Sequence, residues 1–183
     1  LEAEVDYVLA NGAECEPLLH KDAELTEAHV GQVIRGMEAS MQTTGAKEAV
    51  FGIKAKRTKT IAALEGATAK TPIRIKKFGV YYPAGDEFVL VYDCTGRLIP
   101  AGGIPLQVGT VVHNSESLYN IAEAMDGRPV TRKFLTVTGE VKTPMSLAVP
   151  VGITLQEVIE LAGGVTTPDY TVFVGGLMMG RIE

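Results

Sequence analysis

The feature that most constrains this chain is an alternation. Short apolar, strand-like runs are separated by amphipathic stretches through its first half. Val5–Ala10 (VDYVLA) is such a run. Glu24–Gly45 then places Val30, Val33, Ile34, Met37 and Met41 at helical spacing, and Gly45 is the expected stop. Ala49–Ala55 (AVFGIKA) reads as a short buried strand. Thr60–Ala69 reads as a helix with Ile61 and Leu64 inward. Ile73–Phe78 alternates apolar and basic residues, as a half-buried strand does. Strand–helix–strand–helix–strand predicts a βαβ arrangement, so the expected fold is α/β, Rossmann-like, with a partly parallel sheet.

The pattern then changes. Pro83 and Gly85 predict a turn, and Asp86-Glu87 open a helix through Cys94, with acids suited to the positive end of its dipole. Leu98–Gly109, rich in Gly and Pro, is expected as an ordered loop and Thr110–His113 as a short strand. Asn114 or Ser115 caps a helix to about Asp126. In the last third, Phe134–Val141 and Ser146–Val151 read as strands. Thr154 to Glu157 forms a capping box. It opens a helix with Leu155, Val158, Ile159 and Ala162 on one face, stopped by Gly163-Gly164 and followed by a closing strand, Tyr170–Val174. Two domains are expected, residues 1–130 and 131–183, with the boundary near Pro129–Lys133.

Charge and composition exclude several functions. The 183 residues carry a net charge of −5, which argues against a nucleic-acid binder. The basic clusters Lys54–Lys59 and Arg74–Lys77 read as solvated faces. No apolar run reaches the ~18 residues of a transmembrane helix, and no secretory signal is present. The chain opens Leu-Glu without an initiator methionine. It is therefore expected to be part of a longer protein, with Leu1-Glu2 readable as an appended remnant. Two cysteines, Cys15 and Cys94, make neither a disulfide framework nor an iron–sulfur site. The histidines His20, His29 and His113 lack zinc-type spacing, so no metal site is expected.

The segment Asn11–Asp22 (NGAECEPLLHKD) is the first candidate site. Two carboxylates, Glu14 and Glu16, flank Cys15 just past an apolar strand, and in open α/β sheets ligands sit beyond the carboxyl ends of strands. Turn carboxylates or ion-pair partners are the structural alternative. Cys15 is expected to be an inert small residue and Met178-Met179 to pack a core.

NGAECEPLLHKD resembles the matching segment of the Rnf electron-transport complex C subunit. It resembles more closely that of the flavin- and iron–sulfur-containing cobalamin reductases of propanediol utilisation. More distantly it is similar to the Asn-Ala-Asp-Glu-Gly-Glu-Pro of the flavin subunit of respiratory NADH dehydrogenase. Tyr82-Pro83-Ala84-Gly85-Asp86-Glu87 resembles that subunit's Tyr-x-Cys-Gly-Glu-Glu. Val112-His113-Asn114-Ser115-Glu116-Ser117 resembles its Val-Asn-Asn-Val-Glu-Thr. The tail, from Leu135–Val141 through Leu161–Gly164, is similar to the family's soluble-ligand-binding β-grasp domain.

The resemblance implies a protein that binds FMN, takes electrons from NADH and passes them to 4Fe-4S clusters outside this segment. The terminal acceptor would be cobalamin, a ferredoxin or a membrane partner. It implies cofactor contacts at Asn11, Glu14, Glu16, Tyr82, Gly85, Asp86, Glu87, Val112, His113, Asn114 and Ser117, with no catalytic residue of its own. Carboxylates only accept hydrogen bonds, so the acids suit ring N–H and ribityl hydroxyls rather than the flavin phosphate. The family's Gly-rich phosphate loop is expected before Leu1 and its cysteine-rich domain after Glu183, so FMN is expected to bind weakly or not at all here, and the segment alone to be inactive. Partners would be other members of an electron-transfer complex. The location would be cytoplasmic, at the inner face of a membrane through partners or in a microcompartment. The alternative is a non-catalytic scaffold or ligand-binding module with a vestigial flavin site.

Overall fold

Four parallel strands frame the first part of the chain: β1 (Tyr7–Gly12), β2 (Glu48–Lys54), β3 (Ile73–Phe78) and β4 (Thr110–Asn114), in spatial order β3-β2-β1-β4. The computed structural model describes residues 3–183, so the reading of Leu1-Glu2 as a remnant lies outside the described residues. Parallel strands need crossovers, and five helices supply the layers: α1 (Lys21–Ala28), α2 (Val30–Thr44), α3 (Thr58–Thr68), α4 (Glu87–Thr95) and α5 (Ser115–Met125). Both faces of the sheet are covered. Val8, Ala10, Phe51 and Ile53 pack with Leu25, Met37, Leu64 and Leu118 from α1, α2, α3 and α5. Leu9, Val50 and Phe78 pack with Leu90 and Val91 of α4. Burial on both faces is why β2 reads as a continuous apolar run.

The helix expected over Glu24–Gly45 is two helices. The chain breaks at His29, with φ −133° and ψ 35°. The whole apolar stripe from Val30 to Met41 belongs to α2, whereas α1 buries Ala23, Leu25 and Thr26 on its own line. At the break, the His29 ring packs 4.9 Å from Tyr119 and 6.1 Å from Phe134, so a tertiary contact occupies the kink. Gly45 ends α2 as expected. It sits in the left-handed region at φ 73° and donates its N–H to the Met41 carbonyl.

A small β region follows. β5 (Arg132–Val137) and β6 (Met145–Pro150) pair antiparallel, α6 (Leu155–Leu161) carries the predicted capping box, and β7 (Phe173–Val174) pairs with β8 (Arg181–Ile182). The strand expected over Phe134–Val141 stops at Val137; Gly139 turns the chain at φ 93°, and Val141 makes only an isolated bridge to Val165. The expected strand Tyr170–Val174 pairs over its last two residues alone. Of the predicted face of α6, Val158 and Ala162 are buried and Leu155 is exposed.

Glu116 ties this region to the sheet. It is buried at the head of α5, and its carboxylate accepts from Lys21 Nζ at 3.0 Å and Lys133 Nζ at 2.6 Å. Burial pushes its pKa up, but the two lysines outweigh burial and hold it below the usual carboxylate range. A depressed folded pKa means stability that is present above the unfolded value near 4.5 and lost as pH falls through the folded one. Glu116→Gln is expected to cost about 1–2 kcal/mol at neutral pH, less than a fully buried pair because Lys133 is half exposed. Its melting temperature should converge on wild type as pH drops below about 4.5; a gap independent of pH would show that the charge is not what stabilises.

Candidate functional site

The carboxyl ends of β1, β2 and β4 set the site. Alternation along the strands sends Asn11, Val112 and Asn114 to the face covered by α4, and Asn11 and Asn114 are register partners. The turn before α4 folds over them. Asn11 Nδ2 donates to the Gly85 carbonyl at 2.8 Å while its Oδ1 accepts from the Ala13 N–H at 3.2 Å. The Gly85 N–H donates to Cys15 Sγ at 3.0 Å. A side chain at Gly85 would press on Cys15, Ala13 and Asn11 at 3.1–3.3 Å, so glycine is what lets the turn sit this close. The first two sequence motifs are thus interlocked, and the third lies one strand away.

The other candidates divide by what they touch. Asp86 caps α4, accepting from the N–H groups of Phe88 and Val89. Glu87 follows it in the first turn, exposed, with no side-chain bond among the described residues. Tyr82 is half exposed, with its ring 4.2 Å from Lys54 Nζ. Asn114 and Ser117 are exposed at the head of α5, and Asn114 makes no side-chain cap. His113 is not brought to this face. It points to α2, where its Nε2 lies 2.8 Å from Ser40 Oγ, and burial holds its pKa down.

The two acids of the first motif are already bonded within the protein. Glu14, at φ 43°, has a buried side chain. One oxygen accepts from the Asp22 N–H at 2.9 Å and the other from Arg57 Nη2 at 3.1 Å. Its pKa is raised, first by burial, against the bonds and charge that favour the anion. Glu16 accepts from the backbone N–H groups of Met178 and Met179, each at 2.9 Å. Their carboxylates serve different partners, so they do not form an acid/base pair about one point. Met178 and Met179 are exposed rather than packed in a core, and only their backbone is used. Cys94 is an inert thiol, pushed up to about 12 by burial. Among the described residues no group of three His, Cys, Asp or Glu could hold a metal, and no helix is long and apolar enough to cross a membrane.

The basic cluster Lys54–Lys59, expected as a solvated face, divides: Lys56 and Lys59 are exposed, but Lys54 is 1% exposed. The signal in the sequence is a lysine that closes the apolar run Ala49–Ile53 at its carboxyl end. A cavity of about 530 Å³ lies on the far side of the acidic loop, between Pro17–Leu19 and the small β region, lined by Phe134, Leu135 and Phe173 among others.

This arrangement has counterparts among known proteins. The family model described as the Nuo51 FMN-binding domain matches residues 1–123, and the SLBB domain model matches residues 134–182. Cobalamin reductase PduS of Citrobacter freundii is 42% identical over 100% of this chain and 40% of its own length. The C subunit of the Na(+)-translocating ferredoxin:NAD(+) oxidoreductase complex of Acetobacterium woodii is 34% identical over 98% of the chain and 41% of its own length. The chain therefore spans about 40% of these relatives. In fold it is similar to a chain of an NAD+-reducing [NiFe]-hydrogenase in the H2-reduced state, with a TM-score of 0.79 at 23% identity, covering 96% of this chain and 35% of that one.

Proposed function

This chain belongs to the Nuo51 FMN-binding domain family, and on that premise we propose that it builds the ring- and ribityl-facing walls of an FMN site in an NADH-dependent electron-transfer protein. Residues 1–130 are the flavin domain in this reading, and residues 131–183 a β-grasp accessory domain that braces it. The observation that carries it is the convergence of three loops at the carboxyl edge of one parallel sheet, locked by the Asn11–Gly85 bond.

The residues present fit the group. Among the described residues the exposed Asn114 amide and the buried Ser115 hydroxyl make no side-chain hydrogen bond at these strand ends, and the Lys54 ammonium faces only the Tyr82 ring. Asn11 and Asn114 offer both donors and acceptors, Glu87 is a free acceptor for hydroxyls or a ring N–H, and Tyr82 gives an aromatic face. Asp86 and Gly85 shape the turn, Val112 lines the sheet face, and Ser117 adds a hydroxyl. Glu14 and Glu16 act through the loop they hold in place. Held by these residues, FMN would supply two-electron hydride acceptance coupled to one-electron release. NADH is the donor in this reading, and the acceptor is cobalamin, a ferredoxin or a membrane partner by way of 4Fe-4S clusters.

The test is titration of the full-length protein with FMN, followed by quenching of flavin fluorescence, then bleaching by NADH under anaerobic conditions. Saturable uptake and bleaching are expected. No uptake would leave a scaffold with a vestigial site. Asn114→Ala separates site from fold: it should leave the melting temperature unchanged and weaken FMN by about three- to tenfold, the worth of one hydrogen bond. A lower melting temperature with unchanged affinity would place Asn114 in the fold instead.

A further inference from the structure

Lys54 is the last residue of β2, two residues beyond Gly52, which pairs with Asn11. Its side chain is therefore on the α4 face, the face of Asn11 and Asn114. It is 1% exposed, yet among the described residues no carboxylate or carbonyl accepts a hydrogen bond from its ammonium. What it has is the Tyr82 ring, 4.2 Å away. The ionisable groups around it are Cys15 and Glu14 from the loop after β1, and Lys56 and Arg57 from the turn after β2. Glu14 is already taken by Arg57 and by the Asp22 N–H. The two neighbouring cations repel it, and burial holds its pKa below the usual lysine value.

Its stem is buried and its ammonium stands at the mouth of the site, with the Tyr82 ring and no anion as its protein partner among the described residues. Charges this far inside a fold are ordinarily paired. We propose that Lys54 is the cation of the flavin site, held under Tyr82 to donate to an oxygen acceptor of the bound flavin, a ring carbonyl or the phosphate. This deepens the FMN reading and rests on it. Lys54 contributes to ligand binding, while its unpaired charge works against the stability of the ligand-free protein.

The experiment compares wild type with Lys54→Met, Lys54→Gln and Lys54→Arg in the full-length protein. FMN and riboflavin are titrated separately by fluorescence quenching, and each protein is melted without ligand. Lys54→Met and Lys54→Gln should weaken FMN by about tenfold or more, as loss of a hydrogen bond to a charged group does. Lys54→Arg should recover part of the affinity. The ligand-free melting temperature of Lys54→Met should equal or exceed wild type. An equal loss for both flavins identifies a ring carbonyl as the acceptor; a loss for FMN alone identifies the phosphate. Unchanged affinity in the Met and Gln variants overturns the proposal, most directly if their melting temperatures also fall, because Lys54 then serves packing. If wild type binds neither flavin, the flavin reading falls and this inference with it.

Discussion

Replacing Gly36 with alanine is expected to destabilise the protein by about 3 kcal/mol or more, at the severe end of overpacking substitutions. Gly36 is buried in the middle of α2, where that helix crosses α5. A methyl group there would be driven into the backbone carbonyl of Leu118, itself fully buried. A side chain in the way can change rotamer; a helix backbone can move only by displacing the whole helix. Helix propensity alone would favour alanine by about 1 kcal/mol, so the clash must exceed that gain before any loss is seen. Gly66 in α3 is the control. It is exposed, and nothing lies within 4 Å of the position its Cβ would take. Gly66→Ala should therefore stabilise by about 0.5–1 kcal/mol. Chemical denaturation of the two variants checks both signs; a mild Gly36→Ala would mean that α2 and α5 can slide apart.

That pair also marks where sequence reading stops. Gly36 and Gly66 are alike in the sequence, each a glycine inside a helical pattern, and only the neighbouring helix separates them. Ile73–Phe78 is β3 residue for residue because alternation of apolar and basic side chains is a local signal. The break at His29 is not local: it is occupied by rings from Tyr119 and Phe134, far along the chain. The site divides the same way. Asn11, Gly85 and Asp86 are legible from turn and cap chemistry, and the structure brings them together. The partners of Glu16 are backbone groups 162 and 163 residues away, which no spacing rule could supply. The motif groups His113 with its neighbours, but a strand alternates, so adjacent residues face opposite ways.

Glu14→Ala is expected to cost about 3 kcal/mol and to dismantle the acidic loop, because it removes two charge-assisted bonds at once. α1 has no cap of its own; His20 at its head makes no side-chain bond to the helix. Glu14 supplies one from outside the helix, taking the Asp22 N–H at the positive end of the dipole, and ties the same carboxylate to Arg57. Glu14→Gln should behave differently. It keeps an acceptor for Asp22 and the side-chain volume, gives up the Arg57 bond because its amide N–H cannot accept, and discards a charge that burial opposes. The folded pKa of Glu14 is raised above 4.5. Its contribution is therefore fully present below the unfolded value and lost as pH rises through the folded one. At neutral pH, Glu14→Gln should fall within about 1 kcal/mol of wild type. As pH drops toward 4.5, wild type should gain relative to the glutamine variant. This is the opposite of Glu116→Gln, whose deficit shrinks in acid. Thermal melts of the three variants from neutral pH to about 4 separate the two carboxylates. A Glu14→Gln deficit as large as that of Glu14→Ala would show that the ionised group, not the acceptor, holds the loop.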